Sequence, residues 1–119
     1  RVTSSLSQFR DGLLQLQNNN LDIFYPGHRQ KILSPNLRID EILQHHRDRL
    51  DQIVSLLTNP TDIWNLSTRI FGQLDGIHAL YGSGEIFAHL EYLEAMNLVT
   101  SSDGLYSLTT PSVDVLTIF

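Results

Sequence analysis

Cysteine is absent from the chain, which removes disulfides, thiolate nucleophiles and every cysteine-containing zinc cluster, while histidine and carboxylate ligands stay open. No apolar run approaches the roughly 20 residues that span a bilayer, and the first residues are not a basic stretch followed by an apolar one. The expectation is a soluble, cytoplasmic protein with no membrane partner. Positive charge is missing from a whole half of the molecule. All eight lysines and arginines lie between Arg1 and Arg69, and from Ile70 to Phe119 six acidic residues stand against none. A surface of that sign repels a phosphate backbone, so nucleic acid is not an expected partner.

What the chain does contain suits a packed domain. Its 119 residues are 41% apolar, enough for one compact unit with or without an appendage. It opens on Arg1 instead of methionine, which fits a processed product or a fragment.

Leu6, Phe9, Leu13 and Leu16 recur at steps of three and four, so the spacing predicts a helix over Ser5 to Gln17, capped by Ser4 or Ser5 and closed by Asn18 to Asn20. Leu21 to Tyr25, with two aromatics, reads as a short strand ended by Pro26 and Gly27. A helix feeding one strand is half of an α/β unit. A solitary strand leaves its backbone groups and both faces without partners, which argues for a missing N-terminal portion.

The clearest helical signal runs from about Ile39 to Leu57, with Ile39, Ile42, Leu43, His46, Leu50, Ile53, Val54 and Leu57 on one face. Asn59 and Pro60 stop it, and Thr61 or Asp62 caps a second helix to about Phe71 that Gly72 ends. After a less regular segment, a third helix from about Gly84 to Asn97 turns Ile86, Phe87, Leu90, Leu93 and Met96 inward and Glu85, Glu91 and Glu94 outward. Leu98 to Thr100 and Leu105 to Leu108 flank Asp103-Gly104 as a hairpin. Three helices and a hairpin follow the winged helix-turn-helix order, and the β-branched run Val113 to Phe119 reads as a last strand. The expected fold class is α+β, mainly α.

Candidate chemistry rests on histidine. His28 follows a Pro-Gly turn at a strand end, where a bend can aim an imidazole into a shared site. Taken alone it reads as a surface residue. Adjacent His45 and His46 point about 100° apart on a helix and do not share a metal as an i, i+4 pair does. His46 on the apolar face reads as a satisfied core residue, His78 and His89 as packing or capping residues. His45 and Arg49, one turn apart, form a face that can contact a neighbouring domain or a substrate. No serine lies in a nucleophile motif; Gly82-Ser83-Gly84 reads as a helix start, and the glycines form no phosphate loop. The third helix exposes glutamates and the wing carries Asp103 without a cation, both against DNA binding.

Phe24-Tyr25-Pro26-Gly27-His28 resembles the strand and Pro-Gly-His motif near the end of the metallo-β-lactamase fold, and the resemblance continues through Ile42 to Leu50 and Gly84 to Glu94 into the winged-helix domain appended to many of these hydrolases, including the glyoxalase II-like group. The resemblance implies that residues 1–36 are a C-terminal remnant of the αββα catalytic domain, carrying its last helix and strand, and that residues 37–119 are the winged-helix domain. It implies that His28 is the last metal ligand of a full-length parent holding zinc or another divalent metal, two ions in all, which would activate water against an ester, thioester, amide or phosphodiester. Arg29 would then stand beside the active-site mouth, and together with His45 and Arg49 it is an expected substrate-flanking residue. Two departures stand out. The His-x-His-x-Asp-His run is absent, so no complete active site and no bound metal are expected in this chain, and Arg29 replaces a glycine common after the motif histidine. The expected partners are the missing N-terminal catalytic domain and a second copy in a homodimer. The competing reading is a non-catalytic winged-helix module for protein interaction or dimerisation.

Overall fold

In a computed structural model of the chain, residues 4–18, 35–72 and 77–119 are described. Helix α1 spans Ser5–Asn18, α2 Pro35–Leu56, α3 Ile63–Phe71 and α4 Ile77–Ala95, followed by strands β1 (Val99–Ser102) and β2 (Leu105–Leu108). The expected strand at Leu21 to Tyr25, and with it His28 and Arg29, lies outside the described residues. Among those residues no helix is long and apolar enough to cross a membrane.

Several helix boundaries have a local cause. Ser4 caps α1, its Oγ accepting from the Ser7 amide at 3.0 Å, and Glu91 of α4 accepts from the Ser5 amide at 3.0 Å. A carboxylate there satisfies an orphan donor and complements the positive end of the helix dipole. Proline suits the first turn of α2, whose amides lack intrahelical partners anyway, so this helix starts at Pro35 and not near Ile39. Asp62 caps α3, accepting from the Asn65 amide at 2.7 Å, and Gly72 (φ 80°) closes it. Helix α4 ends in a Schellman motif: Asn97 sits at φ 60°, the Leu98 amide reaches the Leu93 carbonyl at 2.9 Å and the Asn97 amide reaches Glu94 at 2.9 Å.

The core lies where α1, α2, α3 and α4 converge. The stripe Ile39, Leu43, Leu50 and Ile53 of α2, continued by Leu57 just after its end, is buried in one core with Ile86, Leu90 and Leu93 of α4 and Leu66 of α3. Strands β1 and β2 pair antiparallel with Val99 opposite Leu108 and Ser102 opposite Leu105. Asp103 (φ 53°) and Gly104 (φ 79°) both take positive φ, as a two-residue turn matching the strand twist requires. Thr61, just before α3, exchanges both backbone hydrogen bonds with Tyr106, at 3.0 and 2.8 Å, tying the hairpin to the helices.

Several expectations are corrected. Val113 to Phe119 is not a strand: Val115–Thr117 forms a 3-10 turn with the Asp114 carboxylate accepting from the Leu116 amide at 3.2 Å. The turn brings Val115 and Phe119, four residues apart, close together in the core, whereas an extended strand would hold the same two residues on one face roughly 13 Å apart. Gly82-Ser83-Gly84 is not a helix start, because α4 begins at Ile77 and passes through both glycines; the intrinsic cost of glycine in a helix, about 1 kcal/mol each, is small beside the burial of Ile86, Leu90 and Leu93. Phe87 and Met96 face outward, 50% and 40% exposed. In α1 only Leu6 of the expected stripe is buried, and Phe9 and Leu16 remain 47% and 38% exposed.

Two glycines separate backbone demand from propensity, since a Cβ at Gly12 or Gly104 would meet nothing within 4 Å. Gly104→Ala forces a left-handed alanine and lowers stability by about 1–2 kcal/mol. Gly12→Ala in α1 raises it by roughly 0.5–1 kcal/mol. Chemical denaturation of both variants checks the opposite signs.

Candidate functional site

Polar chemistry concentrates where α2 crosses α4. Helix α2 brings His45, His46 and Arg49, and α4 brings Glu85 and His89; residues one turn apart on each helix form a face, and the two faces meet. His89 is 1% exposed. Its Nδ1 lies 2.7 Å from the Glu85 carbonyl oxygen and its Nε2 3.1 Å from Nδ1 of the half-buried His46. Burial is the main cause that pushes His46 down to about 4, with His89, His45 and Arg49 adding to it against the pull of Glu85. Burial also lowers His89, opposed by its hydrogen bond to the Glu85 carbonyl and by the Glu85 carboxylate. Both rings are therefore neutral at physiological pH.

Glu85 is the hub on the solvent side. Its Oε1 accepts from Arg49 Nε at 3.2 Å and faces His45 Nε2 at 3.3 Å. The Arg49 side chain is only 13% exposed; Nη1 donates to Gln52 at 2.9 Å and the guanidinium lies 4.5 Å from the centroid of the Phe71 ring. These contacts join α2, α3 and α4 at one charge, whereas His45 is 57% exposed and turned to solvent. On the other side of the pair, the His46 ring meets Phe9 of α1 at 5.6 Å and Phe119 at 5.8 Å between centroids. Phe119 is held by Arg10 Nε and Arg47 Nη2, each donating to its carbonyl oxygen at 3.1 Å, and Tyr92 donates to the Ile118 carbonyl.

This arrangement orients side chains and holds neutral imidazoles. Among the described residues no group of three or more histidines and carboxylates has metal-binding geometry, and the nearest approach to one spends its donors on Arg49 and on a main-chain carbonyl. Of the residues singled out in the sequence, His45 and Arg49 meet here, while His28 and Arg29 lie outside the described residues. Sequence reasoning placed Glu85 on the outward face and His89 in a packing role, and missed that they engage Arg49 and His46. The i, i+4 spacing of Glu85 and His89, opposite His45 and Arg49 on another helix, carries that signal, but only once the helices are paired. A separate open cleft of about 780 Å³ between the end of α2 and the segment after β2, lined by Val54, Leu57, Leu108 and Pro111 among others, contains no ionisable side chain.

The different settings of Arg49 and His45 predict different costs. Arg49→Ala removes a largely buried charged hydrogen bond and the ring contact and leaves Glu85 with only the exposed His45 beside it, a loss of about 2 kcal/mol. His45→Ala changes stability by less than about 0.5 kcal/mol. Thermal unfolding of the two variants checks the ranking.

No family model and no curated protein matches the sequence. Solved structures do. A metallo-β-lactamase family protein from Thermus thermophilus superposes with a TM-score of 0.71 and 28% identity, covering 87% of this chain and 33% of that one. A β-lactamase domain protein from Burkholderia ambifaria gives a TM-score of 0.75 at 20% identity, covering 90% of this chain and 34% of its own, a likeness of fold alone. The chain spans about a third of the length of these structures and is similar in fold to that part of metallo-β-lactamase family proteins.

Proposed function

We propose that the chain is the C-terminal part of a metal-dependent hydrolase of the metallo-β-lactamase superfamily, with zinc the leading metal. Residues 1–36 would complete the catalytic domain and supply His28 as the last ligand, and residues 37–119 would form a winged-helix domain that flanks the substrate or dimerises. The observation that carries this reading is the match to the Thermus thermophilus protein, where 28% identity over 87% of the chain coincides with coverage of only 33% of the relative. Three further observations support it. The order α2, α3, α4, β1, β2 is that of a winged helix. Pro26-Gly27-His28 precedes it in the chain, in the order the resemblance implies. The half after Arg69 has no cation for phosphate, which turns the hairpin and α4 away from nucleic acid and toward a packing role.

In this reading the ligand set is His28 together with polypeptide beyond this chain, and none of the described residues is assigned to it. What this chain's own residues do in the reading is positional. Glu85 and Gln52 hold Arg49, and Arg49 ties α2 to α4 and, through Phe71, to α3 beside the exposed His45.

Metal analysis of the complete reading-frame product, beside this chain and beside a His28→Ala form of the longer protein, tests the proposal. About two divalent ions per longer polypeptide, none on this chain alone, and at least a roughly 100-fold weaker affinity after His28→Ala are expected. A longer product that binds no metal, or binds it equally well without His28, overturns the assignment.

A further inference from the structure

We propose that the Glu85 carbonyl, His89 and His46 form a one-proton relay whose charging releases α1 and Phe119 from the α2–α4 face. The argument begins with the partners. A carbonyl oxygen only accepts, so His89 Nδ1, 2.7 Å from the Glu85 carbonyl, carries a proton. Neutral His89 then has a bare Nε2. The nitrogen facing it at 3.1 Å, His46 Nδ1, must donate. Neutral His46 is left with its lone pair on Nε2. Both rings are thus held in the Nδ1–H tautomer, fixed in sequence from one main-chain oxygen.

Such a chain accepts one proton at His46 Nε2 without losing a hydrogen bond. It cannot accept two, because a second would set N–H against N–H across 3.1 Å. The single charge would appear on a ring lodged between Phe9 of α1 and Phe119. The groups facing it are His45 and Arg49 from α2 and His89 and Glu85 from α4, and the Glu85 carboxylate is already engaged by Arg49 at 3.2 Å. From α1 and the segment at 119 it meets the two aromatic rings, while the nearby cations Arg10 and Arg47 are drawn to the Phe119 carbonyl. An imidazolium so placed gains by moving into water, and the contacts it leaves are those that seat Phe9 and Phe119.

The sign follows from the lowered affinity of His46 for a proton in the folded state. The released state binds the proton more tightly, so the seating of α1 is complete above the ordinary histidine range near 6.5 and is lost as pH falls from there toward about 4. Helix α3 and the hairpin, which make no hydrogen bond or ring contact with either imidazole among the described residues, keep their protection over the same interval.

Two measurements on this chain test the relay. A long-range nitrogen–proton NMR spectrum of the imidazoles at neutral pH is expected to show His46 and His89 both protonated at Nδ1 and bare at Nε2. Amide exchange, corrected for intrinsic rates, is expected to show protection across Ser5–Asn18 falling about tenfold or more between about pH 7.5 and about pH 5, with Ile63–Phe71 and the hairpin unchanged. His46→Asn keeps an N–H toward His89 without a titrating ring, and makes α1 protection independent of pH. An Nε2–H tautomer at His46, loss of protection in step across all helices, or a persistent pH dependence in His46→Asn overturns the proposal; if that variant does not fold, the unsubstituted chain decides through the tautomers and the exchange pattern.

Discussion

The structure depends on how α2 closes on α4 around a polar residue. His89 is as deeply buried as the leucines beside it, and an imidazole taken out of water without partners costs several times what a typical hydrogen bond contributes. Its partners come from two directions: the carbonyl of Glu85 one turn earlier on α4, and His46 from α2. The first is available in any helix. The second exists only at one rotation and one level of α2 relative to α4, so the pair selects a register that the surrounding leucines, being interchangeable in shape, leave weakly specified.

Once that register is set, the remaining contacts follow from it. Arg49, one turn beyond His45 and not quite one turn beyond His46, arrives opposite the Glu85 carboxylate and reaches the Phe71 ring, which draws in α3. Phe9 closes over His46 and brings α1 down, where Glu91 of α4 caps its first turn. Phe119 closes from the far end, held by guanidinium groups of α1 and α2. Four helices and the last residue therefore share one polar centre inside an apolar core. In the functional reading this centre is a support: it places the exposed His45 without taking part in chemistry itself.

Much of the fold is legible in the sequence because local physics determines it. The α2 stripe, the Asp62 cap, the Gly72 stop and the Asp103-Gly104 turn are each specified by a few adjacent residues, and each is present as read. The departures occur where distant contacts outweigh local preference. Gly82 and Gly84 suggest a helix start, yet α4 runs through them because the residues that follow are buried on α2. Val113 to Phe119 has strand composition but no strand partner among the described residues, and Val115 and Phe119 are instead buried together in the core. The candidate site divides in the same way. His45 and Arg49 are visible on one helix face, whereas the roles of Glu85 and His89 depend on which helix lies opposite, and no pattern within α4 states that.

The most direct test of this account is a double-mutant cycle on His46 and His89, each replaced by leucine singly and together, with unfolding free energies measured above the histidine range. If the pair sets the α2–α4 register, the two substitutions couple by about 1 kcal/mol or more, the double variant recovering part of the loss because neither imidazole is left buried without its partner. Losses that add to within roughly 0.3–0.5 kcal/mol would contradict it, and would mean that the apolar stripe alone positions α2 on α4.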